Sequence, residues 1–303
     1  MRVVVIILLS LTAASFAEAA GRERLGQGHL ATNDTFGDFY DRWRTASVNY
    51  SVVWGSSWSG RPPEVFGDMV ELRLMGEIIS PANITAPFSS DRHYAAALSV
   101  GAHTHFTVKQ WDISLGADLV VTGPSTGLGS LQSDFHRFLG ETPPSQAVLD
   151  AQIEDAIYPT AVVEVAQTFL VSPSIAVRPF IEGRAGVETL ARAGVDLELG
   201  RRAVGGWRVR DPVTGQRYEL IRASSAGWRV LIGADIAHVF DSAYLPSGTG
   251  PDLREDRARV RIGFDRTGRN HNQAFFGLTW LGEEFIGQPE AQIVGSLQLS
   301  FRF

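Results

Sequence analysis

Apolar and polar residues alternate along most of this chain. The stretch from Gly295 to Phe303 shows it most cleanly: Leu297, Leu299, Phe301 and Phe303 recur at every second position, with Ser296, Gln298, Ser300 and Arg302 between them. A β-strand turns successive side chains to opposite faces, so this segment predicts a strand with one apolar and one polar side. The same rhythm recurs upstream. Leu72, Leu74, Gly76 and Ile78 oppose Glu71, Arg73, Met75 and Glu77, and Ala258, Val260, Ile262 and Phe264 oppose Arg257, Arg259, Arg261 and Asp265.

Read this way, strands are expected over 29–35, 43–55, 66–79, 91–106, 110–122, 156–171, 174–188, 191–200, 226–240, 254–266, 272–283 and 290–303. Alternation alone fits a soluble sandwich and a membrane barrel equally. The connections separate them. About twelve strands is an even number, which places both chain ends on one side, the periplasm in bacterial barrels. The connections at 107–109, 172–173 and 267–271 then fall on the periplasmic side and are short, whereas 36–42, 80–90, 123–155, 241–253 and 284–289 fall outside and are mostly longer. Short inner turns and long outer loops are the asymmetry of outer-membrane barrels, as is an alternating last strand that closes on Phe. The fold class expected is therefore all-β, a transmembrane antiparallel β-barrel with a short helical extracellular loop. The segment 201–225 is too long for its side, and DPVTGQ between RVR and RYELIR suggests an extra hairpin.

The helical loop lies within 123–155. Leu131, Phe135, Phe138 and Leu139 fall on one helical face and Gly140 ends it, suggesting a helix carried over the rim as a cover. Gln132 and His136 share an adjacent face.

Composition narrows the setting. Arg2, an apolar run from Val3 to Leu11 and Ala17-Glu18-Ala19 form a signal-peptide pattern, so residues 1–20 are expected to be cleaved and 21–303 to form the barrel domain. There is no cysteine, no later apolar run long enough for a helical span, and a net charge of −6 with Lys109 the only lysine. Nothing here offers a basic tract for nucleic acid.

Candidate chemistry gathers at the expected extracellular mouth. Asn33-Asp34 closes the first strand, and Asp41-Arg42-Trp43-Arg44-Thr45 opens the second. Thr45 alternates with Ser47, Asn49 and Ser51 and is expected to point into the lumen; His136 sits in the long outer loop. Gly123-Pro-Ser-Thr-Gly127 matches G-x-S-x-G formally but lacks the α/β-sheet context that motif needs, and reads as a turn.

Together, Thr32-Asn33-Asp34, DRWRT at 41–45, ISPANI at 79–84, DRHYAAAL at 91–98, GADLVVTGPSTGLG at 116–129 and LQSDFHRFLGE at 131–141 resemble the outer-membrane lipid A 3′-O-deacylase (LpxR) family. The match spans roughly residues 30–160. The resemblance implies a twelve-stranded barrel that uses calcium to hydrolyse the ester holding the 3′-linked acyloxyacyl group of lipid A, in the outer membrane of a Gram-negative cell. It implies His136 as general base, with Asn33, Asp34 and Thr45 lining the site and Asp34 and Glu141 as metal ligands. Histidine titrates near neutrality and can accept a proton from water, and calcium prefers oxygen donors, so these residue types suit the reaction. Lipopolysaccharide and the membrane are the implied partners, with the chain acting as a monomer. The stretch NITAPFSS at 83–90 carries no basic cluster, leaving Arg42, Arg44 and Arg92 as candidates to supply that charge. A non-enzymatic barrel, serving as a pore or structural element, is the other reading.

Overall fold

The computed structural model describes residues 21–87, 90–201, 205–270 and 272–301. The expected signal segment and Phe303 lie outside the described residues. The strands are β1 (Glu23–Asn33), β2 (Trp43–Gly55), β3 (Met69–Ser80), β4 (Ala95–Val108), β5 (Trp111–Thr122), β6 (Ala156–Ala166), β7 (Phe169–Ser172), β8 (Ile175–Ala185), β9 (Glu188–Leu199), β10 (Trp207–Arg210), β11 (Arg217–Ile221), β12 (Gly227–Ser242), β13 (Asp256–Thr267), β14 (Gln273–Leu281) and β15 (Gln292–Ser300). Two helices, α1 (Leu128–Leu139) and α2 (Gln146–Asp150), occupy the β5–β6 connection.

Neighbouring strands pair antiparallel, and the sheet closes through β1 with β15 and β6 with β8. Both β6 and β7 pair with β8, so they are two pieces of one wall strand, and the barrel has twelve. The β8–β9 turn at Gly186–Val187 is the short exception among the extracellular connections. No helix among the described residues is long and apolar enough to cross a membrane; the strands do the crossing.

The alternation is turned inside out relative to a soluble protein. On β13, Arg257, Arg259 and Arg261 are buried, while Val260, Ile262 and Phe264 are exposed. On β15, Ser296 and Gln298 face inward and Leu299 outward. An apolar exterior around a polar lumen is stable only against lipid.

The lumen is filled. The segment expected as an extra hairpin is one: β10 and β11 pair with each other and enter the barrel from the periplasmic end. Tyr218, Leu220 and Ile221 pack there against Leu30, Val53 and Met69. The hairpin presses so closely on β1 that a Cβ at Gly28 would lie 2.2 Å from the Glu219 carbonyl oxygen, which only glycine permits. Above it, buried ion pairs cross the lumen. Arg259 donates to both oxygens of Asp235 at 2.9 and 3.2 Å, and Arg210 reaches Glu164 at 2.7 Å and Asp196 at 2.8 Å.

Candidate active site on the outer wall

The candidate residues meet on the lipid side of the barrel wall. Three local features put them there. The first is a bulge in β2. Trp43 pairs with Ser80 but Ala46 with Ile78, so one extra residue interrupts the alternation. Arg44 points into the lumen, donating to Glu77 at 2.6 Å and Glu284 at 2.9 Å. Thr45, its neighbour, turns instead to Asp41, donating through Oγ1 at 2.6 Å. The expectation that Thr45 faces the lumen is thereby corrected: parity counted from Ser47 does not carry across the bulge.

The second feature is a glycine in β15. A Cβ at Gly295 would lie 2.4 Å from the Cβ of Phe36, so glycine lets the 3-10 turn Asp34–Phe36 lie flat on the outside of the wall. Asn33 caps that turn, accepting from the Thr35 N–H at 2.9 Å, and its amide donates to the Thr45 carbonyl at 3.0 Å. Its side chain therefore ties β1 to β2 and holds the site's frame.

The third is the helical loop. It was expected over the rim, but α1 and α2 pack against the exterior instead, where Leu128, Val148 and Leu149 cover Ala46, Ile78 and Ala96. Ile79, Ala95 and Ala97, one position away, belong to the internal cluster with Tyr244. The helix's buried side is polar, with Gln132 and Ser133 turned to the wall. The segment Gly123–Gly127 is the turn that leads into α1, and the backbone N–H of Ser125 donates to Asp155 at 2.7 Å.

Asp41 is the hub. Oδ1 accepts from Thr45 and, at 3.3 Å, from the Gln132 amide; Oδ2 lies 3.2 Å from His136 Nε2. His136 Nδ1 donates to the Thr142 carbonyl at 2.8 Å, possible because Gly140 adopts a left-handed conformation (φ 79°) that ends α1 and folds the chain back. A carbonyl can only accept, so Nδ1 is a donor in this pairing, and Nε2 is the ring nitrogen turned toward Asp41. Tyr94 donates to Gln132 Oε1 at 2.8 Å, and burial, with the charge of Asp41 nearby, pushes its phenol up so that it remains a donor.

Asp34 is buried beside this hub. Burial raises its carboxyl to about 7; the Thr45 hydroxyl bond opposes the rise and the charge of Asp41 adds to it. Its Oδ2 also accepts from the Arg42 N–H at 3.3 Å. Two neighbouring carboxyl groups, one of them raised by burial, form an oxygen-rich corner. Asp41 Oδ2 is buried with no hydrogen-bond donor. That donor set suits a hard cation such as calcium. Glu141 is not part of it: the side chain is exposed, and its backbone N–H serves the helix end by donating to the His136 carbonyl at 2.8 Å. Among the described residues no three His, Cys, Asp or Glu side chains form a ligand cluster by themselves.

The three arginines named as substitutes for a basic cluster also separate. Arg44 and Arg92 are buried and both pair with Glu284. Only Arg42 reaches the outer surface, where it meets Glu290 at 2.6 Å and Asp38 at 3.3 Å. Sequence reasoning gave no role to Asp41 or Tyr94, although Asp41 stands four positions before Thr45 and Tyr94 lies in DRHYAAAL.

Residues 3–303 match the family described as outer membrane protein LpxR. The chain belongs to the LpxR family. This is an outer-membrane lipid A deacylase family, and the protein is accordingly an outer-membrane protein. LpxR from Salmonella typhimurium shares the fold at a TM-score of 0.75 and 18% identity, over 92% of this chain and 100% of that one. The β domain of the Bordetella autotransporter BrkA is similar at a TM-score of 0.45 and 10% identity, over 92% of this chain and 99% of its own, and the KdgM porin at 0.39 and 5%, over 91% and 99%. Those two carry no argument about the site. No curated protein sequence matches the chain.

Proposed function

We propose that this LpxR-family protein hydrolyses the ester holding the 3′-linked acyloxyacyl group of lipid A, acting as a monomer, with His136 as the general base. The observation that carries the reading is the His136–Asp41 pair, placed on the lipid side of the wall and not in the lumen. A soluble substrate would gain nothing from that position; an ester anchored in the outer leaflet meets it directly.

With Nδ1 donating to Thr142, Nε2 is the nitrogen that would take a proton from water, at the edge it shares with Asp41. The imidazolium so formed lies against the Asp41 carboxylate, which offsets its charge. Gln132 and Thr45 hold Asp41 in place, and Tyr94 holds Gln132. Asp34 and Asp41 are the side chains that would hold calcium. When bound, calcium would supply positive charge to polarise the ester carbonyl and offset the oxyanion.

Mass spectrometry of lipid A tests the reading in cells expressing this chain or its His136→Ala variant, with and without a calcium chelator. Wild type is expected to remove the acyloxyacyl mass, and loss of the base to slow removal by about 10²–10⁴-fold. An unchanged spectrum under every condition would overturn it. The pore reading is disfavoured by the β10–β11 hairpin in the lumen: wild type should show no steady conductance in planar bilayers, and removal of residues 207–221 should open it.

A further inference from the structure

The outward face of α1 is apolar, and nothing among the described residues covers it. Leu131, Phe135, Phe138 and Leu139 form it, with Phe138 84% and Leu131 61% exposed. In a soluble protein the same helix would bury that face. Across the His136–Asp41 pair, the opposite lip carries Phe39, 78% exposed, and Tyr40. Phe39 is held outward by a left-handed backbone, φ 65°, a strained state for an aromatic residue.

Both lips continue a surface already facing lipid. α1 lies on the outer-face residues Ala46, Ile78 and Ala96, and the turn before Phe39 lies on Gly295. Exposed Val48 follows Ala46 down β2, and exposed Leu299 follows Gly295 down β15. Beside the apolar arc of α1, Asp134 and Arg137 pair at 2.6 Å on the surface, the arrangement of a helix lying at a membrane interface.

We infer that α1 and the Phe36–Tyr40 segment are sunk among the acyl chains of the outer leaflet and form the two sides of a lateral doorway to His136. A lipid ester enters sideways, within the membrane plane, without leaving the bilayer. The doorway rests on the deacylase reading, whereas the lipid contact of the two lips does not.

The natural chain has no cysteine, so single-cysteine variants can be spin-labelled cleanly. Phe138→Cys and Phe39→Cys in the full-length barrel, reconstituted in phosphatidylcholine vesicles, would be compared with Val48→Cys as the lipid reference and Glu255→Cys as the water reference. Labels at 138 and 39 should favour collisions with oxygen over a water-soluble nickel chelate, as at 48. A nickel preference matching that at 255 would overturn the lipid contact. In a second arm, Phe135→Ser/Phe138→Ser should slow hydrolysis of lipid A in vesicles about tenfold but of detergent-dispersed lipid A by no more than about twofold. Equal losses in both would overturn the doorway. Wild type inactive on both would remove the deacylase reading and the doorway with it, while the spin labels would still decide the lipid contact.

Discussion

The lumen and the outer-wall site are both rich in charge, but only the lumen balances it. Inside, arginines and carboxylates interlock: Asp235 serves Arg192, Arg259 and Arg261, and Asp196 serves Arg210 and Arg261. On the outer wall, Asp34 and Asp41 are met by a hydroxyl, an amide, backbone N–H groups and one imidazole. The guanidinium of Arg42, the nearest arginine in sequence, is taken by Asp38 and Glu290. Compensated charge makes a scaffold, since every partner is fixed by others. Charge left uncompensated is free to bind a cation or move a proton. The contrast teaches where to look in such a barrel: the conspicuous ionic network is the framework, and the sparser cluster is the candidate for the chemistry.

Substitutions can break that contrast. The largest effect on stability is expected in the lumen. Asp235→Ala would leave buried Arg259 without its carboxylate and take one of two from Arg192 and from Arg261, and should cost about 3–5 kcal/mol, read from denaturant unfolding of the detergent-solubilised barrel by gel mobility. The fraction that remains folded should still hydrolyse lipid A. An unmoved unfolding midpoint would mean that the network is not the scaffold.

A middle effect concerns pH at the outer wall. The Asp34 carboxyl is raised to about 7, above its ordinary value, so the folded chain holds this proton more tightly than the unfolded chain does. Its contribution to stability is fully present below about pH 4 and is lost as pH rises towards about 7. Calcium should offset that loss, so its stabilising effect, read as a shift in thermal midpoint, should grow between pH 5 and pH 8. Asp34→Asn should flatten both dependences. A calcium shift that is the same at both pH values would separate Asp34 from the cation.

The smallest effect tests how the site is held. Tyr94→Phe removes one hydrogen bond to Gln132 and should lower kcat about fivefold, the worth of roughly 1 kcal/mol, with KM little changed. A fall in stability without a fall in kcat would make Tyr94 a packing residue only.

Much of the barrel was legible because alternation is a local property: each strand announces its two faces through its own residues. The strand expected over 43–55 coincides with β2, and the hairpin expected within 201–225 exists. What local pattern does not contain is direction. The hairpin's residues read as a hairpin whether it hangs in the periplasm or fills the barrel. The apolar stripe of α1 reads as a stripe to be buried, and only the wall behind it reveals that lipid is on its other side. The candidate site was legible in part for the same reason. Motifs marked His136, Asp34 and Thr45, but Asp41 acquires its place from a fold-back that no single motif encodes. Glu141 was placed one contact too far, because the turn at Gly140 uses its backbone and leaves its side chain in solvent.

The irregularity between Trp43 and Ala46 puts Thr45 on the same side of the wall as its neighbour Ala46, with Arg44 on the other. Arg44 becomes a strut of the interior, and Thr45 a fitting of the exterior. Because later residues resume strict alternation, the interior can be rewritten position by position without reaching the candidate site on the outer wall. Removing a single residue from this kink would exchange strut and fitting at once. Such barrels should therefore tolerate wide drift of their contents while keeping the length of this short segment fixed.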